Sequence, residues 1–279
     1  MFFVNLPLRY VARNVGWLDY FIDPDPERAL AGYGPELGLD SLAIQHLGTD
    51  WHVNLSKRLE RAGCACSIHL PFFDLSPGSL DDLVLEATRK RLLSALEFAR
   101  FYRPRHLVGH VCHHHDQHAG DNFGPWLERS TRTWSSVLET WPDRPPLFLE
   151  NTHESGPEPT FRLVEALRDY NVGVCFDVGH WHSFSKGRER RNLTAWLDTL
   201  APLIGHLHLH DNDGTSDQHL GLGQGTIPWA DFFSELRTRA LRPTITFEPH
   251  TTQAMSQTLS YVNAHPLFFE PLRSGEADE

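Results

Sequence analysis

In the stretch IGHLHLHDNDGTSDQHLGLGQGTIPW (residues 204–229), three histidines alternate with two leucines. His206, His208 and His210 fall on one face of an extended segment, Leu207 and Leu209 on the other. Imidazole is the commonest metal ligand, and burying several uncompensated imidazoles is costly, so this face reads as part of a metal centre. The stretch continues with Asp217-x-His219 and with Gly221, Gly223 and Gly225, where the backbone can approach a ligand closely. Other short apolar runs carry one polar group near their ends: His69, His110, Glu150, Asp177 and Glu248. With His180, His208, Asp217 and His219 they form a set of imidazoles and carboxylates without cysteine, suited to zinc, manganese or a similar divalent ion. One ion takes about four such ligands. The surplus predicts two or three ions per chain, with Glu150 or Asp177 as the bridge.

Eight runs read as strands: residues 2–6, 35–39, 64–70, 105–110, 146–151, 172–178, 204–210 and 244–249. Helical patterns lie between them, clearest over 81–102, 126–141, 160–170, 193–200 and 229–240. Ser79 is the expected N-cap of the first of these, and Thr160 that of the helix after strand five. Regular alternation of strand and helix predicts parallel βα units closing a single (β/α)8 TIM barrel, one domain over residues 1–279. Residues 11–30, with Pro24 and Pro26, have irregular periodicity, and the tail SGEADE is expected to fray.

Strand parity sharpens this reading. If the polar ends point into the barrel, so do their i−2 neighbours Ser67, Val108, Phe148, Cys175, His206 and Thr246. The intervening residues, Leu107, Leu149, Phe176, Leu207 and Phe247 among them, then face the helices, and nearly all are apolar. Polar groups at the C-terminal ends of barrel strands occupy the face where active sites sit.

The composition limits partners and compartment. A net charge of −11 opposes duplex DNA, which favours a basic face. The basic cluster Lys186, Arg188, Arg190 and Arg191 reads as a solvated loop, with a substrate phosphate as its functional alternative. Four cysteines without framework spacing, no basic leader and no run long enough to span a bilayer predict a soluble cytoplasmic protein without membrane contact. Oligomeric state leaves no readable trace.

The motifs SIHLPF, LVGH, LFLENT, FDVGH, HLHD, DQHLGLGQGTI and TFEP, in this order, resemble the xylose isomerase-like barrel superfamily, which includes endonuclease IV and many sugar isomerases and epimerases. By resemblance to endonuclease IV, His69, His110 and Glu150 would hold one zinc. Glu150, Asp177, His208 and Glu248 would hold a second, and His180, Asp217 and His219 a third. Zinc is the first expectation for the metal, with manganese, iron or cobalt accepted by similar donors. The isomerase branch needs only Glu150, Asp177, His208 and Glu248 around one ion, so His69 and His110 favour the hydrolytic branch. HLPFFDLSPGSLDD, followed by Ala87-Thr88-Arg89, is similar to bacterial cobamide-remodelling phosphodiesterases.

The resulting expectation is a metal-dependent phosphodiesterase acting on a small phosphoester, with Glu150 and Glu248 as catalytic carboxylates. The alternative is a single-metal sugar isomerase or epimerase; an AP endonuclease on damaged DNA fits the charge less well. Outside this set, Glu36 is expected to reach the pocket, and Trp181 to touch substrate. His113, His114, His115 and His118 with Asp116 read as a solvated or substrate-facing loop. Asn151 and Asn212 are expected to bond ligand groups or backbone near the site. His182, His210 and Asp211 serve either as supports for metal ligands or as turn residues.

Overall fold

The computed structural model describes residues 1–23, 30 and 32–273; Pro24, Pro26 and the tail SGEADE lie outside the described residues. Eight parallel strands close in sequence order into a barrel. They are β1 (Phe2–Pro7), β2 (Gly34–Gly38), β3 (Ser67–His69), β4 (Leu107–His110), β5 (Leu147–Glu150), β6 (Val172–Asp177), β7 (Ile204–Leu209) and β8 (Thr244–Phe247). This is the TIM-barrel architecture expected from the alternation of periods. No helix among the described residues is long and apolar enough to cross a membrane. All four cysteines are free.

The parity argument holds strand by strand. Leu107, Leu149, Phe176, Leu207 and Phe247 join the apolar layer between barrel and helices, whereas Val108 and Cys175 are buried outside that layer, in the barrel interior. Register carries the pattern around the barrel: His110 pairs with Glu150, and Asp177 with His208. Near the N-terminal end the interior is plugged by aromatic rings. A Cβ at Gly34 would lie 2.8 Å from Phe3 Cδ1, and one at Gly205 would lie 2.3 Å from Phe148 Cε1. Only a residue without a side chain leaves these rings room.

Two capping expectations are corrected. Asp81, not Ser79, caps the helix Asp82–Tyr102, its carboxylate accepting from Leu83 N at 2.8 Å and Val84 N at 3.3 Å. Ser79 Oγ instead accepts from Asp81 N, just outside the helix. Thr160 lies inside the helix Glu158–Ala166 and is fully buried; Pro157 stands at the cap, its fixed φ being compatible with a helix start. The segment of irregular periodicity becomes the short helices Leu8–Arg13, Val15–Leu18 and Asp19–Ile22.

Candidate metal centre

The expected ligands converge: His69, His110, Glu150, Asp177, His180, His208 and Glu248 stand at or just beyond strand ends, and Asp217 and His219 come from the loop between β7 and the helix Trp229–Thr238. Glu150 is central. Its Oε2 lies 3.1 Å from His69 Nε2, 3.3 Å from His110 Nε2 and 3.4 Å from His208 Nδ1, and its Oε1 lies 3.0 Å from His180 Nδ1. His208 Nδ1 is also 3.4 Å from Glu248 Oε1 and 3.9 Å from Asp177 Oδ2. Beyond them, Asp217 Oδ2 lies 2.9 Å from His219 Nε2 and 3.5 Å from His180 Nε2.

Three of the imidazoles are held in defined tautomers by the main chain. A carbonyl can only accept, so His69 Nδ1 donates to Leu70 O at 2.8 Å, His180 Nδ1 to Asn151 O at 3.0 Å, and His219 Nδ1 to Glu248 O at 2.7 Å. In a neutral ring this leaves Nε2 with its lone pair free, which is the state a metal ligand needs.

The donor set fits divalent ions. Asp177 Oδ2, Asp217 Oδ1 and both ring nitrogens of His208 and His210 are buried with no hydrogen-bond partner, although Asp177 Oδ2, Asp217 Oδ1, both nitrogens of His208 and His210 Nε2 lie within 4 Å of groups of opposite character. Buried polar atoms are ordinarily paired. Ligand atoms about 2.1 Å from a tetrahedral ion lie about 3.4 Å from one another, the separation His208 Nδ1 keeps from Glu150 and Glu248. These atoms aim at shared points rather than at each other. Two of the groupings whose donor atoms lie close enough to share one ion are His69, Glu150 and His208, and His180, His210, Asp217 and His219.

In the metal-free protein the carboxylates are held ionised and His180 keeps a proton that a bound ion would displace. Burial alone would raise the Glu150 carboxyl, but His110, His208 and His180 hold it well below the usual carboxylate range. Burial likewise opposes ionisation of Asp177, and His180 and His210 outweigh it. His180 is driven the other way: desolvation would lower it, while Asp177, Asp217 and Glu150 raise it well above the ordinary imidazole range.

Above this cluster lies a cleft of about 670 Å³ whose floor includes His69, His110, Glu150, His180, Asp217 and Glu248. That volume suits a small metabolite or one end of a larger one. Phe72, stacked on the His110 ring at 4.2 Å, and Phe184, stacked on His180 at 5.3 Å, wall it. Arg9 is the one Arg or Lys lining it among the described residues, and it is 3.4 Å from Asp40. Two site residues escaped the sequence reading. Asn5 Nδ2 donates to Glu248 Oε1 at 2.9 Å, and its inward parity with Phe3 was the available signal. His250 stacks on His219 at 3.6 Å, two residues past Glu248.

The other expectations resolve one by one. Trp181 packs over Gly187 and donates to Asn192 Oδ1, away from the cleft, because the turn Val178–His182 aims it opposite to His180. His182 bonds Thr226 Oγ1 and is equally remote. Asn151 bonds both N and O of Asp177, and Asn212 bonds Gly179 O, so both brace strand ends. Asp211 accepts from Gly223 N, Ile227 N and Trp229 Nε1, fixing the glycine-rich loop, so its role is that of a turn residue. A Cβ at Gly225 would lie 2.2 Å from Asn212 O; that glycine serves the turn. His114 lines the cleft, while His113 and His118 are buried beside Trp126. In the basic cluster, Arg188 bonds Asp213 O and Arg190 bonds Ser155 O, pinning loops. Glu36 lies under His208, below the cleft floor.

Comparison with known proteins agrees with the barrel fold. The chain is 27% identical over 177 residues to the uncharacterized protein MJ1311 of Methanocaldococcus jannaschii, covering 61% of this chain and 59% of that protein. It is 28% identical over 152 residues to a probable endonuclease 4 of Symbiobacterium thermophilum, covering 48% and 53%. These matches thus span only about half of the curated relatives' length. Among solved structures, the TTHB071 protein from Thermus thermophilus, soaked with ZnCl2, superposes with a TM-score of 0.71 at 26% identity, covering 100% of this chain and 99% of that one. A D-tagatose 3-epimerase-like protein superposes with a TM-score of 0.71 at 20% identity, covering 99% of both chains, a likeness of fold alone. The model of the family described as xylose isomerase-like TIM barrel matches residues 35–265, and the chain belongs to that family.

Proposed function

We propose that the protein is a divalent-metal-dependent phosphoester hydrolase acting on a small metabolite, a cobamide nucleotide loop being one candidate. The observation that carries this reading is the number of donors around Glu150. His69, His110 and His208 all face its Oε2, from β3, β4 and β7, with Asp177 and Glu248 beside His208. These groups outnumber the ligands that one ion takes, about four, which suits two adjacent ions, and His180, Asp217 and His219 suit a third. Zinc is the first expectation for all three, in keeping with the zinc soak of the TTHB071 structure. Bound divalent ions supply a water-derived nucleophile near neutral pH and neutralise charge on the transferring phosphoryl group.

The chain's own residues do the rest. Glu248, oriented by Asn5, faces the cleft and serves to orient the attacking water and accept its proton. The stacked Phe72 and Phe184 rings limit water at the site. With Arg9 beside Asp40, little side-chain cation is available to a phosphate, which leaves its charge to the ions.

A second reading, proton transfer in a sugar isomerisation or epimerisation, has its own supporting observation. Glu150 Oε2 and Glu248 Oε1 are each 3.4 Å from His208 Nδ1, two carboxylates flanking one position. Elemental analysis of metal per chain, paired with turnover of phosphodiesters including cobamides against ketoses, separates the two. Two or three ions with phosphodiester cleavage support hydrolysis; one ion with ketose turnover and no cleavage overturns it. Glu150→Ala is expected to lose both bound metal and activity, and normal hydrolysis by that variant would sink the assignment.

A further inference from the structure

We propose that Glu36, a residue outside the expected ligand set, is the positioning carboxylate that orients His208 toward the metal centre. This rests on the metal-dependent reading above. The histidines at the barrel mouth divide into two kinds. His69, His180 and His219 each have Nδ1 fixed by a main-chain carbonyl, leaving Nε2 toward the centre. His208 is turned the other way round: its Nδ1 faces Glu150 and Glu248, and no main-chain acceptor holds its other nitrogen. The group facing His208 Nε2 is Glu36 Oε1, at 3.0 Å. The two atoms are off the line of an N–H donor, and neither has another hydrogen-bond partner.

The surroundings of Glu36 are built to hold a carboxylate at that point. Its side chain is fully buried. Ser67 Oγ donates to Oε2 at 3.1 Å and Thr246 Oγ1 donates to the same oxygen at 2.8 Å, while Oε1 is left for His208. His206, directly beneath, lies 2.7 Å from Thr244 Oγ1 and 3.0 Å from Thr246 Oγ1. Thr246 spends its proton on Glu36 and therefore accepts from His206 Nε2, while the Thr244 hydroxyl is shared between His206 Nδ1 at 2.7 Å and Gly205 O at 3.3 Å. Two atoms of this floor stay unpaired, His106 Nε2, 3.6 Å from Glu36 Oε2, and Glu36 Oε1, and it is Oε1 that faces a metal-facing histidine. A carboxylate on the far nitrogen fixes which tautomer the ring adopts and raises its basicity as a ligand.

The test is zinc affinity, measured by competition with a chromophoric chelator on the full chain. Glu36→Gln is expected to weaken zinc binding about 10- to 100-fold while the metal-free melting temperature does not fall. The same substitution in a His208→Ala background is expected to produce no further loss, because the ring through which it acts is gone. Parental affinity in Glu36→Gln overturns the proposal. So does an equal loss with and without His208, which would mark a diffuse charge effect. Should Glu36→Gln not fold, Thr246→Val, which removes one donor holding Oε2, is expected to weaken zinc binding several-fold, and parental affinity there overturns the proposal. Failure of the parent protein to bind zinc would instead defeat the metal-dependent reading itself, and this inference with it.

Discussion

Ionising Glu154 should cost the fold stability. The residue follows β5, is fully buried, and its two carboxylate oxygens accept from His113 N at 2.9 Å and Thr152 N at 2.5 Å. Burial pushes this carboxyl up to about 7 from an ordinary 4.5, even though both backbone bonds favour the anion. Between those two values the folded chain holds a proton that the unfolded chain has released. Stability therefore falls as pH rises through this window and levels off above it. At about 1.4 kcal/mol per pH unit, the loss is about 3 kcal/mol. Urea unfolding of the metal-free protein, compared with Glu154→Gln from about pH 4.5 to about pH 8, isolates the effect, since every other titrating group is common to both. The stability difference is expected to move by about 3 kcal/mol in favour of the variant across that range. A difference that stays flat refutes the reasoning. The effect bears on function because the residues Glu154 ties down adjoin His114 and His153, which line the cleft.

Two further outcomes follow from the geometry. Asn5→Ala removes a hydrogen bond to the Glu248 side chain; the expected loss is about 1.5–3 kcal/mol in the affinity of the ion that Glu248 holds, read by zinc competition. Gly179→Ala would set a Cβ 2.0 Å from His210 Cε1, so the ring or the turn must shift. A destabilisation of about 1–3 kcal/mol in urea unfolding is expected, and an unchanged midpoint would show that His210 is not lodged there.

Parity made most of the site legible. A strand of alternating character has two faces, so the polar groups at strand ends had to share the barrel interior, and a closed parallel barrel brings all C-terminal ends to one rim. What parity does not give is depth. His206 and His208 share a face, yet His206 lies on the floor with Thr244 and Thr246, and His208 reaches the rim. Glu36 was inward by the same rule, but the oxygen of a long side chain can end a layer away from its Cα. Nor does adjacency in a turn imply a shared direction: Trp181 follows His180 and points into Gly187. Cap assignment failed for a local reason, since Ser79 and Asp81 are both competent acceptors and only the start of the helix decides between them.

The division between main-chain and side-chain support says what such a barrel can vary. Leu70, Asn151 and Glu248 orient His69, His180 and His219 through carbonyl oxygens, which no substitution at those positions removes. Tautomer and direction at three ligands are thus consequences of the backbone, and backbone in a closed parallel barrel is the least changeable part of the molecule. His110 and His208 have no such carbonyl among the described residues; for His208 the support is Glu36, and Glu36 in turn leans on the hydroxyls of Ser67 and Thr246. The position shared by Glu150, Asp177, His208 and Glu248 is accordingly the one whose affinity a few interior side chains can tune without disturbing the fold. The wall of the cleft is coupled to that centre, since Phe72 stacks on His110 and Phe184 on His180. On the proposed reading, a substitution in the wall therefore acts on the imidazoles beneath it as well as on the substrate.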